Sequence, residues 1–479
     1  MPNPASEPQR SHRDGPRPAD LRPSYAQSDR SAAHGEGVVL ARAAAGAAAA
    51  AFPAFSELGP TRHRELLWRA ADLLEARGEL FAAVMADEMG ATPEWARFNI
   101  ELGAAMLREA GALTTQVTGE VIASDRPGST AMAIRQPVGV VLGIAPWNAP
   151  IILAVRAIAM PLACGNTVVL KGSEICPKTH QLLVDVLVDA GMGNGVVSFV
   201  VNAPTEAADV METLIAHPSV RRVNFTGSTR VGRIIGVIAA RYLKPALLEL
   251  GGKATVIVLD DADIEEAVAA TAFGAFMNQG QICMSTERVV VDDAVADRFA
   301  EKLCRKADRL IAGPAGNAPL GRLIGADAVE RISAIIDDAV SKGARIIAGG
   351  RIDGLYMDAT VIDDVTPGMR IYAEEVFGPV AALIRVRGVE EAVRVANDTE
   401  YGLSSAVFGR DIGRAMRVAR RIEAGICHIN GPTVHDEPQM PFGGMKASGY
   451  GRFGGKAAID EFTEMRWITV STRPGDYPI

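Results

Sequence analysis

Cysteine is scarce, and nothing in its spacing suggests pairing. Cys164, Cys176, Cys283, Cys304 and Cys427 are scattered through 479 residues, with no CxxC pair. That excludes a disulfide framework and a zinc site of the usual spacing, and it suits a reducing compartment. The seven histidines form no HExxH or HxH arrangement, so no metal is expected. Aromatic residues make up only 5% of the chain, and the net charge is -8. Both weigh against nucleic acid or an anionic membrane as the partner. Long apolar runs are missing as well. The longest near the motifs, Val138 to Pro146, falls far short of the roughly 20 residues that span a bilayer. The N-terminus is polar and lacks the apolar core of a signal peptide. The expectation is a soluble, cytoplasmic protein.

What is present is a globular composition, 48% hydrophobic and 22% charged. The length is too great for one core, so two or three domains are expected. Residues 1–36 are rich in Pro, Ser, Arg, Asp and Gly and read as a disordered or loosely attached arm. The pattern changes at Val38. The alanine run Ala41 to Phe52 is strongly helix-forming. Pro60 to Gly90 reads as two amphipathic helices meeting near Gly78, and a third runs from Thr92 to about Thr115. Apolar strand-like runs follow at 140–147, 167–173, 196–201, 221–228 and 254–261, mostly with helices between. The scheme repeats after Cys283. Such alternation indicates α/β domains built on parallel sheets.

Several motifs could carry chemistry, and each has a plain alternative. Cys283, in NQGQICMSTERVVV, is a candidate nucleophile or a half-buried thiol beside a sheet. Glu249, in LELGGK, is a carboxylate in an apolar strand, where its pKa should rise toward that of a general base. The alternative is an edge glutamate facing water. Asn148, in APWNAP, sits on a loop stiffened by two prolines and could donate to an oxyanion, or simply support its own turn. In VNFTGSTRVG, Gly227 and Ser228 end a strand before a helix, which allows a phosphate to approach. A plain strand–turn–helix link is at least as good a reading. Lys171 and Glu174 follow another strand and could bind ribose hydroxyls, or form a solvated ion pair. Phe377 in EEVFGP or Phe442 in MPFGGMKASGYGRFGG could flank a planar ring.

Together, APWN, FTGSTRVG, LELGGK, GQIC, EEVFGP and PFGGMKASGYGR, in this order, resemble the aldehyde dehydrogenase superfamily. The likeness runs roughly from Val38 to Trp467 and is greatest to the bacterial salicylaldehyde, benzaldehyde and vanillin dehydrogenase group. The resemblance implies an α/β fold with a Rossmann-type NAD domain (37–115 and 137–250) and an α/β catalytic domain (251–440). A small β oligomerisation element (116–136 and 456–479) would join subunits into a homodimer or homotetramer. It also implies Cys283 as nucleophile, Glu249 as general base, and Asn148 with the Cys283 amide as oxyanion donors. Trp147 and Ser228 match positions at the pyrophosphate, with Ala145 and Gly227 on the same cofactor side. Lys171 and Glu174 match the adenosine ribose, which favours NAD over NADP. Glu375 matches the nicotinamide ribose, and Phe377 packs near the nicotinamide. Trp95, Ala149, Ile152, Arg156, Ile282, Met284 and Phe442 would wall the substrate tunnel, with Arg156 either near a ring hydroxyl or in an interface salt bridge. The implied reaction oxidises an aromatic aldehyde to the acid through a thiohemiacetal and a thioester. The alternatives are a semialdehyde dehydrogenase and a non-catalytic relative. Residues 1–36 depart from the family, lacking its opening strands and NP.TG-like phrase.

Overall fold

The computed structural model describes residues 36–314, 316–474, 477 and 479. The expected N-terminal arm lies outside these, except that Glu36 already begins a helix. Four helices open the described chain: α1 (Glu36–Ser56), α2 (Pro60–Ala76), α3 (Gly78–Met89) and α4 (Pro93–Leu113). The join between α2 and α3 falls at Arg77 and Gly78, as the periodicity predicts. The Thr92 side chain caps α4 by accepting from the Trp95 N–H, and Pro93 takes the first helical position.

The valine-rich runs become strands buried on both faces. One six-stranded sheet runs β17 (Gly449–Tyr450), β7 (Ala246–Glu249), β6 (Val220–Thr226), β3 (Val140–Ile144), β4 (Thr167–Lys171), β5 (Val197–Val200). All its pairings are parallel except that of β17 with β7. The helices α5 (Pro150–Ala163), α6 (Pro177–Leu187), α7 (Ala207–Ala216) and α8 (Thr229–Arg241) connect its strands. Every residue of α5 is buried, between α4, α6 and the sheet.

A seven-stranded sheet runs β10 (Arg345–Ala348), β13 (Thr360–Asp363), β14 (Val380–Val386), β9 (Thr286–Asp292), β8 (Ala254–Val258), β15 (Ser404–Phe408), β16 (Ile426–Ile429). Only β10 is antiparallel to its neighbour. The helix α9 (Ile264–Phe276) leads from β8 toward Cys283. A hairpin, β11 (Ile352–Asp353) with β12 (Tyr356–Met357), lies apart. A third sheet joins β1 (Glu120–Ile122), β2 (Ser129–Pro137) and β18 (Thr463–Ser471).

Two expectations need correction. Run order alone leaves 254–261 in the first series, but β8 belongs to the second sheet, within the 251–440 that the resemblance assigns to the catalytic domain. The chain therefore crosses between sheets at Gly251–Lys253, ahead of Cys283. The expectation that no apolar run is long enough to cross a membrane also fails by length and composition, since α1 passes that test. Its apolarity is mostly alanine. One face, with Ala41, Ala45 and Ala48 fully buried, packs on α7, β4 and β5.

Candidate active site

The crossing between the two sheets makes the site. β7 delivers Glu249 to its end, flanked by β6 and β17 and only 1% exposed. The solvent-facing alternative is excluded. Burial pushes the Glu249 carboxyl up to about 7, with the Arg156 guanidinium pulling the other way. The Cys283 thiol and the Thr226 hydroxyl beside the carboxylate also act to lower it. A carboxyl in that state can take a proton from water near neutral pH.

The two glycines that follow have no room for a side chain. A Cβ on Gly251 would lie 2.6 Å from the Glu375 carboxylate, and one on Gly252 2.4 Å from the Cys283 carbonyl oxygen. Hydrogen alone lets these backbones close on one another. The sequence LELGG thus reflects the meeting of Glu249, Cys283 and Glu375 in one place.

Cys283 follows a tight turn in which Asn278 and Gln279 hold positive φ of 48° and 55°. Its thiol is half-buried. Burial lifts the thiol well above its usual range, and the Glu249 charge adds to this. Asn148 is 7% exposed. Its Nδ2 donates to the Gln281 carbonyl at 3.0 Å, far away in the sequence, so it does not merely support its own turn. Its backbone carbonyl accepts from Trp95 Nε1 at 2.9 Å and from Asn278 Nδ2 at 3.2 Å. Cys283, Asn148 and Leu153 line two cavities at once.

The first cavity is a cleft of about 580 Å³. Trp147, Gly227, Ser228, Glu375 and Phe377 line it together with Glu249. Ser228 caps α8, its Oγ accepting from the Val231 N–H at 3.4 Å. The α8 N-terminus therefore opens onto the cleft, a place suited to phosphate oxygens. Glu375 Oε1 accepts from the Gly252 N–H at 3.0 Å. Burial, then the negative Glu287, pushes the Glu375 carboxyl up. Phe377 holds a φ of 48°, and its ring meets Trp147 edge-on at 6.0 Å. Glu287 fixes that loop. Its carboxylate accepts from the Val376 and Phe377 N–H groups at 2.8–2.9 Å and pairs with Lys253 Nζ at 2.5 Å.

Lys171 and Glu174 sit at the end of β4, outside the cleft lining. Lys171 Nζ bonds Glu174 Oε1, and Asn202 Nδ2 donates to the same oxygen at 3.2 Å. With Lys171 only 8% exposed, this is no solvated surface pair. Ala145 is packed in the core and lines neither cavity.

The second cavity is a largely apolar pocket on the other side of Cys283. All seven residues expected in the substrate tunnel line it: Trp95, Ala149, Ile152, Arg156, Ile282, Met284 and Phe442. Sequence reasoning missed Phe98, Leu102, Leu153, Val434 and Asp436. Phe98 and Leu102 follow Trp95 at helical spacing on α4, and the Phe98 ring stacks on Trp95 at 5.5 Å. That spacing was a usable signal. Asp436 gave none. Arg156 pairs within the chain with Asp436, and both side chains are 5% exposed. Among the described residues, no group of three or more His, Cys, Asp or Glu is placed to hold a metal.

Known proteins resemble the chain over most of its length. The profile of the Aldehyde dehydrogenase family matches residues 26–468. A vanillin dehydrogenase of Pseudomonas fluorescens is 60% identical over 442 residues, covering 92% of this chain and 91% of the relative. A benzaldehyde dehydrogenase [NAD(+)] of Pseudomonas putida is 40% identical, covering 86% and 84%. The crystal structure of a salicylaldehyde dehydrogenase from Pseudomonas putida G7, complexed with salicylaldehyde, superposes with a TM-score of 0.91 at 49% identity, covering 92% of both chains.

Proposed function

Since the chain belongs to the aldehyde dehydrogenase family, we propose that it oxidises an aromatic aldehyde to the carboxylic acid with NAD as acceptor. The observation that carries this reading is the pocket beside Cys283, walled by Trp95, Phe98 and Phe442, which suits a flat ring. Relatives named for vanillin, salicylaldehyde and benzaldehyde support it.

The cleft fits a nicotinamide dinucleotide. The α8 N-terminus and Ser228 would meet the pyrophosphate, with Trp147 and Gly227 beside them. Glu375 would hold the nicotinamide ribose, and Phe377 would lie against the ring. Lys171 and Glu174 would take the adenosine ribose hydroxyls, where a carboxylate repels the 2′-phosphate of NADP. When bound, the nicotinamide supplies the hydride acceptor.

The chain's own groups do the rest. Cys283 Sγ passes its proton to the neighbouring Glu249 carboxylate, which releases it before the hydrolysis step, and as thiolate attacks the carbonyl carbon to form a thiohemiacetal. Asn148 Nδ2 and the Cys283 N–H hold the oxygen that gains charge. Once the carbon is oxidised, the acyl group stands on Sγ as a thioester. Glu249 takes a proton from water, whose oxygen then displaces the thiolate and releases the acid.

Arg156 would recommend a semialdehyde if its charge were free to bind a distal carboxylate. It is paired with Asp436 at 2.5 Å, which argues against that substrate. The intact set of Cys283, Glu249 and Asn148 argues against a non-catalytic relative. All five cysteines are free, which suits a reducing, cytoplasmic setting.

The test is NADH absorbance with benzaldehyde, vanillin, salicylaldehyde and propanal. The aromatic aldehydes should be turned over, and Cys283→Ser should abolish the signal. Propanal turnover without any aromatic turnover would sink the reading.

A further inference from the structure

The substrate pocket carries an ion pair that the reaction steps do not use. Arg156 Nη2 meets Asp436 Oδ2 at 2.5 Å, and each side chain is 5% exposed. The guanidinium lies 3.9 Å from the Phe442 ring centroid. Arg156 and Asp436 both line the pocket that holds Cys283. Both also line a second hollow behind it, walled by Met106, Met160 and Met440. The pair is therefore a partition between two spaces, not a strut within packed core.

A buried ion pair adds little net stability over apolar residues of the same volume. Recognition gives it a better reason to stand in an apolar pocket. Burial lifts the Asp436 carboxyl above its usual range, and the Arg156 guanidinium draws it back. A paired carboxylate still accepts a hydrogen bond from a hydroxyl, and such a charge-assisted bond is strong. The same carboxylate repels a second one. It also cancels the charge by which Arg156 would otherwise attract an anion.

We propose that Asp436 is a specificity-determining residue, which selects aromatic aldehydes bearing a ring hydroxyl and turns away those bearing a ring carboxylate. The proposal rests on the aromatic reading above. A ring hydroxyl would add a charge-assisted hydrogen bond to the paired carboxylate, one that an analogue lacking the hydroxyl cannot make.

The test compares kcat/KM for benzaldehyde with that for its 3- or 4-hydroxy and 3- or 4-carboxy derivatives. In the parent protein the better hydroxyl isomer should exceed benzaldehyde by about tenfold or more, and the carboxylated aldehydes should be poorest. Asp436→Asn should cut the hydroxyl-to-unsubstituted ratio by roughly tenfold. It should also raise the carboxyl-to-unsubstituted ratio, since Arg156 then faces the anion unpaired. The double variant Arg156→Met, Asp436→Leu removes both charges, keeps the pocket neutral, and should lose both preferences. It carries the test if the single variant does not fold. Ratios taken within one protein are insensitive to the fraction folded, so a purely structural role would not move them. Ratios unchanged within about twofold in the variants overturn the proposal. If the parent still oxidises benzaldehyde, that result leaves the aromatic reading standing. Failure of the parent on every one of these aldehydes overturns both.

Discussion

Glu249 shows how one side chain's surroundings set its chemistry. Its carboxylate is almost wholly buried at the wall of the cleft, and burial brings its pKa to about 7. Below that value the group holds its proton and cannot accept one from water; above it the base form dominates. For an aldehyde whose thioester hydrolysis limits turnover, kcat should climb as pH rises through about 7 and then level off. Glu249→Gln should lower kcat by roughly 10²–10⁴-fold and flatten the profile. Steady-state kcat across roughly pH 5.5 to 8.5 checks this, and a flat parent profile would count against Glu249 as the base. Glu249 was legible in the sequence because its cues are local: a carboxylate between leucines, then two glycines. Asp436 was not, because its meaning comes from Arg156, 280 positions away. Glu287 escaped for the same reason. It reads as one charge at the start of a strand until Val376, Phe377 and Lys253 fold around it.

Elements hold the catalytic loops in place through a few buried contacts, and His180 on α6 is one of them. Its Nδ1 accepts from the Ser173 N–H at 3.1 Å, so the proton sits on Nε2, which faces the Pro150 carbonyl at 3.2 Å. One neutral imidazole thus ties the turn after β4 to the start of α5, two residues beyond Asn148. Burial lowers its pKa to about 4, from an ordinary 6.5. The folded form disfavours the proton that the unfolded chain accepts below about 6.5. The stability His180 contributes is therefore complete above 6.5 and is lost as pH falls toward 4. By about pH 5 the loss is on the order of 2 kcal/mol. His180→Gln can offer the same acceptor and donor without titrating. Its Tm should fall less than the parent's between about pH 7 and pH 5, by thermal denaturation. Parallel curves would contradict the tie. At this scale strands and helices were legible from valine runs and helical periodicity, but sheet membership was not. A strand buried on both faces reads alike in either sheet, as β8 did. β17 is two residues, Gly449–Tyr450, inside a glycine-rich loop, too short to leave a pattern.

At the scale of the whole molecule, one part does not account for itself. The three-stranded sheet has β2 at its centre and β18 along one side over nine paired residues. Small sheets need an apolar face covered to be stable. In register, Trp467 and Met465 of β18 share a face with Ile122 of β1. These side chains are 78%, 52% and 47% exposed, so that face is open in the single chain. Among the described residues the outer edge of β18 is also unpaired, an edge that another strand can extend. We infer that a second copy of the chain covers this surface, in a homodimer or homotetramer. Full burial of a large apolar side chain is worth about 1.5–3 kcal/mol, and a symmetric interface counts it twice. Trp467→Arg would thus replace two favourable burials with two desolvated charges. By sedimentation velocity the parent should run as an oligomer and Trp467→Arg should shift toward monomer. Its folded core should survive, because Trp467 is 78% exposed and is a member of none of the buried clusters. An unchanged sedimentation coefficient would place the subunit contact elsewhere.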